Sequence, residues 1–171
     1  MVKPTPEQVE WANCEIGVLI HYDVQVFHPT GYQLGNVSAP VVFNPIKAVV
    51  FQGPKGTPSL ARWVGNEQGK APYPCWSTVG DFTEGNECPS PGSGSADGTV
   101  WAPAESDMPN RNHQWIWIED TDYLLYSVDE LAECYYLFVG RNTNLLIGMV
   151  IDNRGLVPDA DVRQFVAFGN R

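Results

Sequence analysis

The sequence is short of positive charge and of long apolar runs. Its 171 residues hold 10 Lys and Arg against 20 Asp and Glu, and the net charge of -10 argues against nucleic acid or an anionic membrane as the main partner. The longest apolar runs, IGVLI and LLIGMVI, fall far short of the roughly 20 residues that a membrane helix needs. The opening MVKPTPEQVEWANC has no apolar segment typical of a signal peptide. We therefore expect a soluble chain with no membrane partner.

Clustered cysteines are missing as well. The four cysteines form no CxxC pair and no zinc-like spacing, so we expect neither a metal site nor a cofactor. Cys14 and Cys134 stand in apolar contexts and are expected to be buried thiols. Cys75 and Cys88 lie in a Gly/Pro-rich region and could pair, which leaves the redox compartment open.

Three segments carry helix signals. Residues 5–15 and 127–140 each begin with a capping box, and 159–169 is an apolar-periodic segment with Asp at its start. The expected capping residues and the expected stop of the second helix are Thr5, Gln8, Ser127, Glu130 and Gly140.

Three runs are apolar on both faces, as strands buried in a parallel sheet are: 16–23, 46–53 and 144–152. Residues 114–120 alternate and fit either a strand or an extended loop. Residues 54–113 hold most of the Gly and Pro and predict a long loop region, of the kind that is usually functional in a compact domain. Helices alternating with such strands predict an α/β fold.

The loop ARWVGNEQGKAPYPCW, which looks too broken by Gly and Pro for regular structure, contains the first candidate site residues. A carboxyl at Glu67 packed beside Trp63 would be partly desolvated, which suits a general acid, although a surface glutamate is the blander reading. Arg62 could bind a substrate hydroxyl or pair with a carboxylate. His21 follows a buried strand, at the end where parallel folds place their active sites, although a lone histidine is more often structural.

Two further segments combine acids with aromatic residues. WAPAESDMP supplies Glu105 and Asp107, and QWIWIED adds Trp115 and Trp117. Aromatic rings pack on sugar faces while acids bind hydroxyls, so these segments together predict a carbohydrate site. The run GRNTN at 140–144 is interpreted as a helix stop followed by a turn.

Taken together, the segments resemble one known family. They are WANCEIGVLIHYDVQVFHPT, FNP, VVFQGP, RWVGNEQGKAPYPCWSTV, WAPAESDMP and LAECYYLFVGRNTNLLIGMVIDNRGLVPDADVRQFVAFG. In this order they resemble the α-L-fucosidases of glycoside hydrolase family 29, and they cover most of the chain.

The resemblance implies a (β/α)8 TIM-like barrel that removes terminal α-L-fucose with retention, using an Asp nucleophile and a Glu acid/base. Glu67 matches the acid/base of the subgroup that carries RWVGNE. His21 matches a histidine that contacts fucose hydroxyls, and Trp63 matches an aromatic residue near the pocket. With Arg62 and Glu105, these make up the expected substrate-binding set. A fucosylated oligosaccharide or glycoconjugate is the implied partner, and the location is extracellular, periplasmic or lysosomal.

The sequence departs from the family in its middle. Pro45 runs directly into IKAVVFQGP, and no segment like KHHDGF or WLDG occurs, so the nucleophile strand is absent. We therefore expect one truncated catalytic domain, with 1–45 as the first βα unit and 46–171 as the last strands and helices of the barrel. Asp23 and Asp107 are the nearest substitutes for the nucleophile, and both are disfavoured.

Two consequences follow for function. The intact form is expected to be an enzyme, whereas this chain is impaired or inactive; the alternatives are a non-catalytic fucoside-binding or interaction module, or a non-functional truncated product. Strand edges that a partial barrel leaves uncovered predict association with another copy or a partner, or poor folding alone.

Overall fold

A computed structural model describes residues 2–20, 50–51, 56–57, 59–65, 67, 70–82, 88 and 92–171 of the protein. In chain order its helices and strands are α1 (Pro6–Asn13), β1 (Ile16–Ile20), β2 (Val50–Phe51), β3 (Leu60–Trp63), β4 (Thr78–Val79), β5 (Val100–Trp101), β6 (Ala104–Pro109), α2 (Val128–Phe138), β7 (Thr143–Met149) and α3 (Asp159–Gly169). The predicted strands at 16–23 and 46–53 correspond to β1 and β2, and the rest of both segments lies outside the described residues.

Five of these strands form one parallel sheet in the order β1-β7-β6-β3-β2. β4 and β5 form a separate antiparallel pair. The first strand of the chain lies beside the last one, as it does in a closed (β/α)8 barrel. The sheet confirms the predicted α/β fold and fits a partial barrel.

The register between β6 and β7 separates the two faces of the sheet. Met108 pairs with Ile147, and both side chains join Leu145 in a buried cluster with Leu131 and Phe138 of α2. Side chains one position away along each strand point to the opposite face. We call that opposite face the inner face; it carries Trp63, Glu105, Asp107 and Gly148.

Both predicted capping boxes are present. In α1 the Gln8 amide nitrogen donates to Thr5 Oγ1 at 3.2 Å, and the Thr5 amide donates back to Gln8 Oε1 at 2.9 Å. In α2 Ser127 and Glu130 make the same exchange, at 3.2 and 2.7 Å. Each box satisfies backbone N–H groups that the first helical turn would otherwise leave without partners.

Three local predictions need correction, and one open alternative is resolved. The second helix ends through a 3₁₀ turn at Asn142, whose φ is 68°, and Gly140 lies inside that turn. The segment expected to be wholly irregular contains strand β3, and β6 was not recognised as a strand at all. Residues 114–120, for which strand and extended loop were both open, form a loop and contain no strand. β3 pairs with β6, and β6 pairs with β7, across long stretches of sequence, so local pattern says little about them.

The cysteine predictions are confirmed only in part. Cys14 is exposed, so its expected burial is wrong, whereas Cys134 is half-buried against the main core cluster. Cys75 and Cys88 are both buried, and no disulfide joins them in the structure.

The main core depends on the buried face of α2. Leu131→Ala removes a side chain with 0% exposure, and we expect the free energy of unfolding to fall by about 2–5 kcal/mol in urea titrations. Glu133→Ala, at an exposed position of the same helix, is the matched control and should change it little. Equal losses in the two variants would contradict the packing described here.

Candidate functional site

Three chain segments meet at the edge of the sheet where the parallel strands end. Glu67 follows β3, Trp115 lies in the loop after β6, and Gly148 is close to the end of β7. We call this the carboxyl edge; it is where open and closed α/β sheets place their ligands. His21, the other residue predicted for this edge, lies outside the described residues.

Glu67 is held by an indole, although not by the one expected. Its Oε2 accepts a hydrogen bond of 2.9 Å from Trp115 Nε1, across 48 residues of sequence. The Trp63 indole, the partner expected for Glu67, donates instead to Asp107 on the inner face, and the expected desolvation of Glu67 is not observed, since the residue is exposed. Glu67 itself is exposed, so its carboxyl is both oriented by an indole and open to an incoming ligand.

The Trp115 ring takes its place because position 148 has no side chain. A Cβ at Gly148 would overlap Cζ3 and Cε3 of the Trp115 ring. The indole therefore lies directly on the backbone of β7. From there its N–H reaches the loop after β3, so the glycine helps to determine where Glu67 is held.

Glu105 and Asp107 form a carboxyl pair on the inner face. They occupy alternate positions of β6, so their side chains point the same way. Burial and, second to it, the neighbouring charge of Asp107 raise the pKa of Glu105 from 4.5 to about 7. Trp63, the register partner of Glu105, donates its indole N–H to Asp107. Near neutral pH the pair can therefore both accept and donate hydrogen bonds.

Arg62 does not belong to this group. The side chain is 1% exposed and points away from Trp63, its neighbour in β3. Its NH1 donates to the Gly92 carbonyl at 2.6 Å, and its NH2 donates to the Trp76 carbonyl at 2.8 Å and to Cys75 Sγ at 3.6 Å. The structure thus makes Arg62 an anchor for the backbone at Trp76 and Gly92, and its burial corrects the expected contact with substrate.

A buried ion pair anchors the loop that carries Trp115, and sequence reasoning missed it. Arg111 and Asp161 are both 0% exposed, with Nε to Oδ1 at 3.2 Å and NH2 to Oδ2 at 2.5 Å. Arg111 also donates to Asp122 at 2.7 Å. The pair links the start of the loop to α3, 50 residues further on. No local spacing signals such a contact.

A metal site and a membrane-spanning helix each have requirements with which the described residues can be compared. No group of three or more His, Cys, Asp or Glu among them could hold a metal ion. None of the helices in that part of the chain has the length and apolar character needed to cross a bilayer.

The raised pKa of Glu105 predicts how stability depends on pH. The unfolded chain loses this proton near pH 4.5 and the folded protein keeps it until about pH 7, so the free energy of unfolding should fall as pH rises through that window. Glu105→Gln should remove this component from urea titrations across the window. Glu133→Gln is the exposed control. An identical pH dependence in wild type and Glu105→Gln would contradict the assignment.

The close approach at Gly148 can be tested with one methyl group. Gly148→Ala should displace the Trp115 ring, cost about 1–3 kcal/mol of unfolding free energy, and shift the indole fluorescence. Gly140→Ala is the matched control, since a Cβ there meets nothing within 4 Å. If Gly148→Ala behaves like Gly140→Ala, the ring is not packed on β7.

The chain is similar to known proteins in both sequence and structure. No protein-family model matches the sequence. Alpha-L-fucosidase 1 of Arabidopsis thaliana is 30% identical over 151 residues, which are 85% of this chain and 27% of the relative.

Two solved structures are similar as well. A Ruminococcus gnavus glycoside hydrolase family 29 fucosidase in complex with fucose is 28% identical with a TM-score of 0.56, covering 66% of this chain and 23% of its own. A glycoside hydrolase 29 family member from an unknown rumen bacterium is 27% identical with a TM-score of 0.57, covering 64% and 20%. The chain spans about a quarter of the length of these proteins. It is therefore related to the α-L-fucosidases of glycoside hydrolase family 29.

Proposed function

We propose that Glu67 is the acid/base residue of a fucosidase-type site, which this chain retains without the nucleophile that completes it. The observation that carries the proposal is the bond from Trp115 Nε1 to an exposed Glu67 carboxylate at the carboxyl edge of the parallel sheet. A general acid must be oriented and yet open to the leaving-group oxygen, and Glu67 has both properties. We also propose that the chain is related to the subgroup of these enzymes that carries the RWVGNE loop.

The substrate we propose is a terminal α-L-fucoside of a glycan. The relative from Ruminococcus gnavus is in complex with fucose, and the aromatic residues around Glu67 suit a neutral sugar. Trp63, Glu105 and His21 are the proposed sugar-contacting residues. Glu105 is suited to sugar hydroxyls because its pKa is raised to about 7. Near neutral pH its carboxyl can therefore either donate or accept a hydrogen bond.

Catalysis by this chain is proposed to be impaired. A retaining hydrolase needs a second carboxylate about 5–5.5 Å from the first, across the anomeric carbon. No segment like WLDG supplies one. Of the two disfavoured substitutes, Asp107 lies beside Trp63 on the inner face, and Asp23 lies outside the described residues. Fucoside binding without turnover is the expected behaviour. Association through uncovered sheet edges remains a prediction that size-exclusion chromatography can check.

The proposal predicts chemical rescue by an external nucleophile. With azide present, the azide nitrogen attacks the anomeric carbon of an aryl α-L-fucoside, and the aryl oxide leaves with the proton of Glu67. We expect azide-dependent release of a phenol that is a poor leaving group, and its loss in Glu67→Gln. Chloride at equal ionic strength and Glu133→Gln are the controls.

The other outcomes of this assay are also informative. Azide-independent turnover that Glu67→Gln abolishes would show that the chain is a complete enzyme and would overturn the proposed impairment. Saturable fucose binding by calorimetry without any rescue would favour a non-catalytic binding module and would exclude Glu67 as a general acid. Neither binding nor rescue would refute the proposed site altogether.

A further inference from the structure

A cavity opens at the opposite edge of the sheet from Glu67. It has a volume of about 720 Å³ and lies where α1 meets the β4–β5 hairpin. Its lining includes Asn13, Trp101 and Asn142, which precede β1, β6 and β7 respectively. We call it the amino-edge cavity. The six residues of β6 separate the two edges by about 20 Å.

The walls of this cavity are fixed by hydrogen bonds. The Gln8 amide of α1 donates to the Trp101 carbonyl at 3.0 Å and to the Leu60 carbonyl at 2.8 Å. In the hairpin, Thr78 is the register partner of Trp101, and its hydroxyl donates to the Ser95 carbonyl at 2.5 Å. The cavity is therefore built by secondary structure and its caps, so a ligand would find it already formed.

The lining combines aliphatic side chains with two indoles, several polar groups and one carboxylate. Trp76 is 43% exposed and Trp101 is half-buried, so indole surface is open to a ligand. Asn13 and Asn142 contribute amides, and Asp97 is the one charged side chain among the described residues of the lining. The absence of any Lys or Arg among these lining residues disfavours phosphate and other anions.

The arrangement of the polar groups leaves capacity for hydroxyls. Asn142 Nδ2 donates to the Cys75 carbonyl at 2.9 Å and to Ser77 Oγ at 3.0 Å. These two bonds fix the side-chain amide and leave its Oδ1 oxygen to accept a hydrogen bond from a ligand hydroxyl. Ser95 Oγ donates to Asp97 Oδ1 at 2.5 Å and orients that carboxylate. The Asn13 side chain bonds to no other described residue.

We propose that the amino-edge cavity binds a short neutral saccharide, at a site separate from Glu67. Indole faces pack against the C–H faces of sugar rings, while fixed amides and a carboxylate match the hydroxyls around them. The volume falls within the roughly 300–1,000 Å³ usual for small-molecule sites. An organic cation could also approach two indoles and one carboxylate, but the amides and hydroxyls in the lining favour a polyol. This site does not depend on the role proposed for Glu67.

Fluorine NMR of the whole chain labelled with 5-fluorotryptophan tests the site. Resonances are assigned with Trp76→Phe and Trp101→Phe, and cellotriose, lactose and tetramethylammonium are titrated separately. We expect a saccharide to shift the Trp76 and Trp101 signals with a dissociation constant of about 1 mM, and to leave the Trp115 signal in place. Asp97→Asn should weaken binding about fivefold, whereas Asp120→Asn, an exposed control elsewhere, should not.

Three results would overturn the proposal. They are no shift with either saccharide, a shift at Trp115 alone, and a response to tetramethylammonium but to neither sugar. The exposed position of Trp76 makes Trp76→Ala a second variant that should keep the fold. If Trp76→Ala retains an unchanged Trp115 signal and still binds saccharide with wild-type affinity, the indole contact is excluded.

Discussion

The parallel ladder between β6 and β7 is the constraint on which the site depends. Six residue pairs fix its register, and alternation along each strand then decides what every side chain faces. Met108 and Ile147 go to the helices, while Glu105 and Asp107 go to the inner face beside Gly148. A shift of one residue would bury the two acids under α2 and expose the core. The same hydrogen bonds therefore hold the core together and present the acids.

What could be predicted from the sequence was local. The capping boxes at Thr5 and Ser127 satisfy their backbone donors within one helical turn, so neighbouring residues suffice to indicate them. β3 and β6 could not be found in this way, because each is stabilised by a strand distant in sequence. The orientation of Arg62 could not be predicted either, because the sequence does not show that β3 is a strand. Adjacent residues of a strand point to opposite faces, so Arg62 and Trp63 lie on different sides of the sheet.

In the candidate site, too, local features could be predicted from the sequence whereas long-range contacts could not. Glu67 could be identified from its loop and from the family resemblance, but its hydrogen-bond partner could not. Trp115 reaches it across 48 residues, and only because Gly148 leaves room for the ring. The buried Arg111–Asp161 pair then fixes the start of the Trp115 loop, and removing one member of such a pair leaves a buried charge uncompensated. Contacts of this kind are set by the fold, and no spacing rule anticipates them.

The described residues thus place a proposed acid/base carboxylate on a fold related to the fucosidases, of whose length this chain spans about a quarter. The proposed site depends above all on the hydrogen bond by which Trp115 holds Glu67 at the carboxyl edge. The chemical shift of the Trp115 indole N–H proton, compared by NMR between wild type and Glu67→Ala, tests this contact most directly. We expect the resonance to move when the carboxylate acceptor is removed and to stay in place in Glu133→Ala. An identical Trp115 resonance in wild type and Glu67→Ala would contradict the hydrogen bond.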